Sequence, residues 1–286
     1  MGDDVAVVPG PSGPLLLAAD AVVAGVHADL DLVGLDDMGW KALVANVSDV
    51  AAVGGRPCCA VVTVAGPLSR VDVDLLYDGL LEAAAAYECP VVGGDLSSSV
   101  TLVVSVAIAG DGGTDPPPPV LRSGAGPGDT LFVTGPLGAS AAGLELLRTG
   151  RATEAPDLAL AHRRPRARLA EGTAARAAGA TAMIDVSDGL AADLRHLAEA
   201  SGVVVVVEHV PVAIGLSRFS DDPEALALGG GEDYELVFAA PDPSRVATIF
   251  AELGLGKPIV IGRCTDDPDE RRLYDRDLPS LGWEHR

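Results

Sequence analysis

The sequence predicts an α+β protein of two domains, and three observations carry that prediction. Its 286 residues are roughly twice what one domain of about 150 residues needs, so two cores can be buried. Short β-branched runs alternate with Ala- and Leu-rich amphipathic stretches in both halves, which is the signature of mixed strand and helix. Between the halves stands a Pro-rich break, Asp115 to Pro119, followed by the turn-forming segment "SGAGPGD" from Ser123 to Asp129. The expected boundary lies near residue 121, giving domains of residues 1–120 and 121–286.

In the first half, β-branched and apolar runs predict strands at Val5 to Val8, Leu15 to Asp20, Ala60 to Ala65, Val91 to Gly93 and Thr101 to Ala109. Helical spacing predicts helices at about Met38 to Ala52 and Val71 to Tyr87. The second half opens with a strand at Thr130 to Thr134 and a helix at Ala139 to Arg148, then a helical stretch from Asp157 to Ala178 interrupted at Pro165. A strand at Ala182 to Asp185, a helix at Leu190 to Ala200 and a strand at Val203 to Glu208 follow, with a last helix around Ser244 to Leu253 and a last strand around Pro258 to Gly262.

Hydrophobic residues make up 48% and charged residues 21% of the chain, a globular composition. Aromatics are only 3%, so the core must come from Val, Leu, Ala and Ile. Forty-one acidic against 20 basic residues give a net charge of −21, which repels a phosphate backbone and argues against nucleic-acid binding. An acidic chain that handles phosphates must recruit cations. Cys58, Cys59, Cys89 and Cys264 have no CxxC spacing and no His at zinc-ligand distance in sequence, so they read as small buried hydrophobes of a reducing compartment. No charged segment precedes an apolar one at Met1, and the most apolar runs, Val100 to Gly110 and Val203 to Val207, are too short to cross a bilayer. The expectation is a soluble, cytoplasmic protein without a membrane partner. The P-loop pattern G-x-x-x-x-G-K-[ST] is absent, and the G-x-G-x-G of Gly124 to Gly128 precedes a strand where a dinucleotide loop follows one.

The acidic residues have a pattern. Asp3 and Asp4 precede a predicted strand, Asp20 ends one, Asp95 follows "VVGG", and Asp185 and Asp188 bracket the strand-to-helix turn "MIDVSDGL". Strand ends deliver carboxylates to one edge of a sheet, and Mg²⁺ prefers such oxygen ligands, completing its shell with water and phosphate. Each Asp taken alone reads first as a cap or turn residue. Asp49 is different: inside "VANVSDVAA" a carboxylate needs a partner or a metal. The Gly pairs of "VVGGDLSSS" and "LGGGEDYEL" allow close backbone approach to a ligand. "VTGPLGASAAG", Val133 to Gly143, runs from strand to helix start; it is either a plain Gly-capped connection or a helix N-terminus open to phosphate.

Taken together, "GDDVAVV" at Gly2, "ADAVVAGVH" ending at His27, "GWKALVANVSDVAAVGG" from Gly39, "VVGGDLSSS" from Val91, "LRSGAGPGD" from Leu121, "IDVSDGLAADL" from Ile184, "GGGEDYELVF" from Gly229 and "LGW" ending at Trp283 resemble the thiamine-monophosphate kinase family of the AIR-synthetase-like (PurM-like) superfamily. The resemblance spans essentially the whole chain, in order. It implies a two-domain PurM-like fold, each domain a mixed sheet covered by helices, and phosphorylation of thiamine phosphate by ATP. It further implies several Mg²⁺ ions and an active site between the domains of a homodimer. Carried over by motif, the metal-binding positions fall on Asp4, Asp20, Asp49, Asp95, Asp185 and Asp188, of which Asp49, Asp185 and Asp188 are expected to be essential to catalysis. ATP-binding positions fall on Gly94, Asp95, Arg122 and Ser187, and substrate positions on His27, Glu232 and Trp283, whose indole could stack on a thiamine ring. On the residues alone, His27 reads as well as a satisfied strand-end histidine, Glu232 as a helix-terminal charge and Trp283 as a packing anchor. Three departures stand out: the chain starts at Met1-Gly2 where the family has a preceding segment, Ala18-Ala19 replace hydroxyl residues, and "GGDLSSS" replaces a more Thr- and Arg-rich version. Alternatives are another ATP-dependent PurM-like enzyme, such as an aminoimidazole ribonucleotide synthetase or hydrogenase-maturation type, or an inactive Mg²⁺- or nucleotide-binding homologue.

Overall fold

A computed structural model of the chain describes residues 6–67, 70–270, 272–274 and 277–283. Contacts divide it into two compact units, residues 1–50 with 55–114, and residues 51–54 with 115–286.

The first unit contains β1 (Leu15–Val23), most of α1 (Leu35–Ala51), β2 (Arg56–Gly66), α2 (Arg70–Ala86), β3 (Val91–Ser98) and β4 (Val103–Asp111). Its four strands form one sheet in the order β1-β4-β2-β3. β1 and β2 flank β4 antiparallel, and β3 joins β2 in parallel, so the sheet is mixed. Side chains alternate along it. Val62, Val64, Val104, Val106 and Ile108 are buried together with Met38, Leu43 and Val47 of α1 and Leu76 and Leu80 of α2. The two helices cross through glycine: a Cβ on Gly39 would lie 2.1 Å from the carbonyl oxygen of Leu76, and one on Gly79 1.8 Å from that of Asp36. Any side chain at either position would force them apart. On the opposite sheet face Leu17 is 74% and Val61 43% exposed, and Ala19 and Ala107, paired in register, are exposed between them.

The second unit has β5 (Thr130–Val133), α3 (Ala139–Arg148), α4 (Pro156–Arg163), α5 (Leu169–Ala178), β6 (Ala182–Asp185), α6 (Leu190–Ser201), β7 (Val204–Val207), α7 (Pro223–Gly229), β8 (Leu236–Ala240), α8 (Pro243–Glu252) and β9 (Ile259–Thr265). Its sheet runs β6-β8-β5-β9-β7, and all four pairings are antiparallel. Helices cover both faces. On one, Leu131, Val133, Ile184, Val237 and Ile261 pack with Leu190, Leu194 and Leu197 of α6 and Leu228 of α7. On the other, Phe132, Met183 and Phe238 pack with Ala174 and Ala178 of α5, Phe250 of α8, and Ala51 and Ala52. Three of the chain's four phenylalanines thus stack in series, Phe132 on Phe238 at 5.1 Å and Phe238 on Phe250 at 6.1 Å, a denser use of aromatics than 3% suggests. Arg176 of α5 is buried and ties down the Pro-rich segment, donating to the carbonyls of Pro117 at 2.6 Å, Asp115 at 3.1 Å and Gly54 at 3.2 Å.

Both units are α+β, as the sequence predicts, with local corrections. Ala6 to Val8 are not a strand, and Val7 is almost fully exposed; Pro9-Gly10-Pro11 follow at once, leaving this apolar run no strand length to pair. Val5 and Asp4 lie outside the described residues. Asp20 and Asp95 sit inside β1 and β3, not at their ends. Two elements went unpredicted: α7, and β8, the strand joining β6 to β5. No helix among the described residues is long and apolar enough to cross a membrane.

Candidate functional site

The residues singled out by sequence fall into two groups, one per unit. In the first unit, the N–H of Asp20 donates to Oδ1 of the buried Asn46 at 3.0 Å, and Asp49 lies three residues further along α1, on the same helix face. β1 and α1 therefore set Asp20 against the helix face that also carries Asp49. Asp95 is elsewhere: it is exposed on β3, where it accepts from Ser97 Oγ at 2.6 Å. β1 and β3 are the two edges of the sheet, three strand spacings or about 14 Å apart. The Nδ1 of His27 accepts from the N–H of Val23 at 3.1 Å, so this ring shapes the turn leaving β1. Gly94 owes its lack of a side chain to β2: a Cβ there would lie 1.9 Å from the carbonyl oxygen of Val62.

In the second unit, β6 delivers Asp185, 2% exposed, to its C-terminal end, in register with Leu236 of β8. Beyond it the pairing continues irregularly. Val186 donates to the Glu235 carbonyl at 2.7 Å, Tyr234 to Val186 at 2.9 Å and Glu232 to Ser187 at 2.8 Å. Trp283, half exposed, donates its N–H to the Asp188 carbonyl at 3.0 Å. One turn thus gathers Asp185, Ser187, Asp188, Glu232 and Trp283. Glycine makes the gathering possible, because a Cβ on Gly231 would lie 2.5 Å from the Ser187 carbonyl oxygen, and one on Gly282 3.0 Å from that of Asp188. Gly94, Gly231 and Gly282 thus let the chain approach itself closely. Arg122 is exposed, and its carbonyl accepts from Ser201 Oγ at 3.2 Å.

Four further side chains complete the group. Asp193 of α6, buried, accepts from the N–H groups of Asp188 and Gly189 at 3.1 Å each. Burial and the neighbouring Asp185 and Asp188 push its carboxyl up to about 8. Asp188, Asp193 and His196 hold ligand atoms within 4.8 Å of one another. Crowded carboxylates that resist ionising together are what a hard divalent cation relieves, and Asp188 with Asp193, and Asp185 near enough to raise Asp193, are donors of that kind. Asp233 accepts from Gly138 N–H at 2.6 Å and Ser140 N–H at 3.0 Å; burial pushes its carboxyl up to about 7 against those bonds. The N-terminus of α3, open to phosphate on one sequence reading, is therefore capped by the protein's own carboxylate. Glu235, buried, is held by Thr134 Oγ1 at 2.5 Å and by Arg168, and burial still raises its carboxyl.

A family model described as AIR synthase related protein, N-terminal domain, matches residues 2–111, and its C-terminal counterpart matches residues 126–275. These define the class as AIR synthase related proteins of two such domains. Among relatives, the thiamine-monophosphate kinase of Mycobacterium tuberculosis is 40% identical over 87% of this chain and 77% of its own. That of Escherichia coli K12 is 37% identical over 99% of this chain and 90% of its own. Among solved structures, the thiamine-monophosphate kinase of Stenotrophomonas maltophilia K279a superposes with TM-score 0.86 at 32% identity, over 97% of this chain and 90% of that one. AaThiL complexed with AMPPCP and TMP gives 0.85 at 35%, over 100% and 92%. The chain belongs to the thiamine-monophosphate kinase family, a family of kinases. Hydrogenase maturation protein HypE, 20% identical with TM-score 0.76 over 93% of this chain and 84% of its own, shares the fold.

Proposed function

We propose that this chain transfers the γ-phosphoryl group of ATP to thiamine phosphate, giving thiamine diphosphate and ADP. An oxygen of the acceptor phosphate bonds to the γ-phosphorus in line with the departing oxygen, the bond to that bridging oxygen breaks, and ADP leaves. A phosphate monoester is already anionic near neutral pH, so no side chain need act as a base; positioning and charge neutralisation are the whole task. The observation that carries this reading is the single turn on which Asp185, Ser187, Asp188, Glu232 and Trp283 converge, in a chain whose relative AaThiL is complexed with AMPPCP, an ATP analogue, and TMP.

Bound Mg²⁺ supplies the neutralisation that a chain of net charge −21 lacks. Asp185 and Asp188, with Asp193, would hold it in the second unit, and Asp20 and Asp49 in the first; Asp4 and Asp95 belong to the same expected set. Ser187, Arg122 and the backbone at Gly94 and Asp95 face the nucleotide in this reading. His27, Glu232 and Trp283 line the acceptor, Trp283 offering a half-exposed indole to an aromatic ring.

The reading includes a homodimer. Asp20 and Asp95 stand on opposite edges of one sheet, about 14 Å apart, too far to share one ion whose oxygen ligands sit about 2.1 Å from it. A second copy could pair its β3 edge with the β1 edge, and the apolar Leu17, Ala19, Val61 and Ala107 exposed on the open sheet face support an association that covers that face. The reading also places the protein in the cytoplasm, supported by four unbridged cysteines.

The test is ADP release with and without thiamine phosphate, in EDTA and after restoring Mg²⁺. Release that depends on both thiamine phosphate and Mg²⁺ is expected; ADP formation indifferent to thiamine phosphate would overturn the assignment. Chromatography of the purified protein, with size from light scattering, tests the dimer.

A further inference from the structure

The proposed reaction leaves a buried imidazole unused. His162, near the C-terminal end of α4, is 4% exposed, and its Nδ1 stands 3.5 Å from Oε2 of Glu232 and 3.1 Å from Oγ of Ser140. Ser140, also buried, sits in the first turn of α3 with its N–H donated to Asp233. The ring is rigidly placed. A Cβ on Gly143 of α3 would lie 2.0 Å from the carbonyl oxygen of Leu158 and 3.1 Å from Cβ of His162, so α3 and α4 meet with no slack where the imidazole emerges. Glu232 is fixed from its other side by its N–H bond to Ser187 and by a left-handed backbone, φ 64°, a conformation a glutamate holds only when its surroundings impose it.

Nδ1 faces a carboxylate and a hydroxyl together. Carrying a proton, it donates towards both acceptors; bare, it would set a lone pair against the carboxylate. We infer that His162 is a positioning residue for the acceptor substrate: with Ser140 behind it, it holds the carboxylate of Glu232 in the one orientation that meets thiamine phosphate. The inference rests on the reading of Glu232 as an acceptor contact. Nothing in it involves ATP, so the two substrates must respond differently.

Two substitutions separate this role from plain packing. His162→Leu fills similar volume without a nitrogen, and His162→Asn keeps an N–H donor near the position of Nδ1. In His162→Leu the KM for thiamine phosphate should rise about tenfold while kcat and the KM for ATP stay within about twofold, and His162→Asn should recover most of that loss. In a Glu232→Gln background His162→Leu should add less than about twofold, because the pair acts as one unit. If thermal melting shows that the Leu variant does not fold, His162→Met, which also lacks the donor, carries the test in the wild-type and Glu232→Gln backgrounds: an equal rise in the KM for thiamine phosphate without the Glu232 carboxylate, or no rise with it, overturns the inference. An unchanged KM for thiamine phosphate in a folded His162→Leu, or an equal rise for ATP, overturns it too. Wild-type protein that releases no ADP in response to thiamine phosphate overturns the kinase reading, and the role of His162 with it.

Discussion

Asp20, Asp49 and Asp95 ride on regular elements, a strand, a helix and a second strand, and Asp20 and Asp95 are exposed to water on two separate edges. Asp185, Asp188 and Asp193 are locked together instead by backbone hydrogen bonds around one turn, with Asp185 and Asp193 buried. Asp95 stands a sheet's width from Asp20, so the geometry of the first set is left open. In the second set the geometry is built in advance at an electrostatic cost, visible in Asp193 being pushed up to about 8. The difference teaches which unit is preorganised and which awaits something to complete it.

The sharpest way to break this comparison is to remove one charge from each set. Asp185→Asn and Asp188→Asn should cut turnover by about a thousandfold or more with melting temperature preserved, and Asp49→Asn should do the same. Wild-type-like turnover in Asp49→Asn would show that the second unit suffices alone. Trp283→Ala should raise the KM for thiamine phosphate by somewhat under tenfold, the size of a lost aromatic contact, and leave the KM for ATP nearly unchanged; steady-state kinetics with both substrates varied decides it.

A smaller effect concerns stability. Asp193 and Asp233, raised to about 8 and about 7 from an ordinary 3.8, bind a proton more tightly in the folded chain than in the unfolded one. The stability they contribute is therefore full below about 3.8, falls steadily as pH rises above it, and is gone once pH passes about 7 for Asp233 and about 8 for Asp193. In EDTA, the melting temperature of the wild type should decline from about pH 5 to about pH 8.5 more steeply than that of Asp193→Asn, and saturating Mg²⁺ should flatten the wild-type decline by several degrees. Parallel curves with and without Mg²⁺ would remove the cation from the second unit. Least of all should follow from replacing all four cysteines by Ala or Ser: burial raises Cys58 and holds Cys89 and Cys264 up at about 12, so none of these is a ready thiolate, and turnover should stay within a few-fold.

What the sequence disclosed depended on how locally the information is written. Asp49 stands out in the sequence because an aspartate among Val and Ala on a helix has no bland explanation, and "GLAADLRHL" carries the same signal for Asp193, beside the more conspicuous Asp188. Asp233 and Glu235 could not be found that way. Their partners lie far along the chain, Gly138 and Ser140 for one, Thr134 and Arg168 for the other, and only the pairing of β8 with β5 and β6 brings them near. β8 itself is buried along its whole length, so it lacks the alternation that marks a half-exposed strand. The α+β class survived such omissions because it needs only that strands and helices alternate, and that pattern recurs along the whole chain.

Ala51 ends α1, whose earlier residues belong to the first unit, and Ala52 follows it, yet both are packed into the core of the second, beside Ala174, Ala175 and Phe238. Unit and chain order therefore do not coincide. A gene split anywhere between residues 55 and 115 would give a downstream polypeptide whose core is missing two side chains and whose Arg176 has lost the carbonyl of Gly54, while the upstream piece would carry Ala51 and Ala52 with no core to enter. The second unit is thus completed by a segment translated before almost all of the rest of it, and this tie discourages evolution from shuffling its two domains as independent modules.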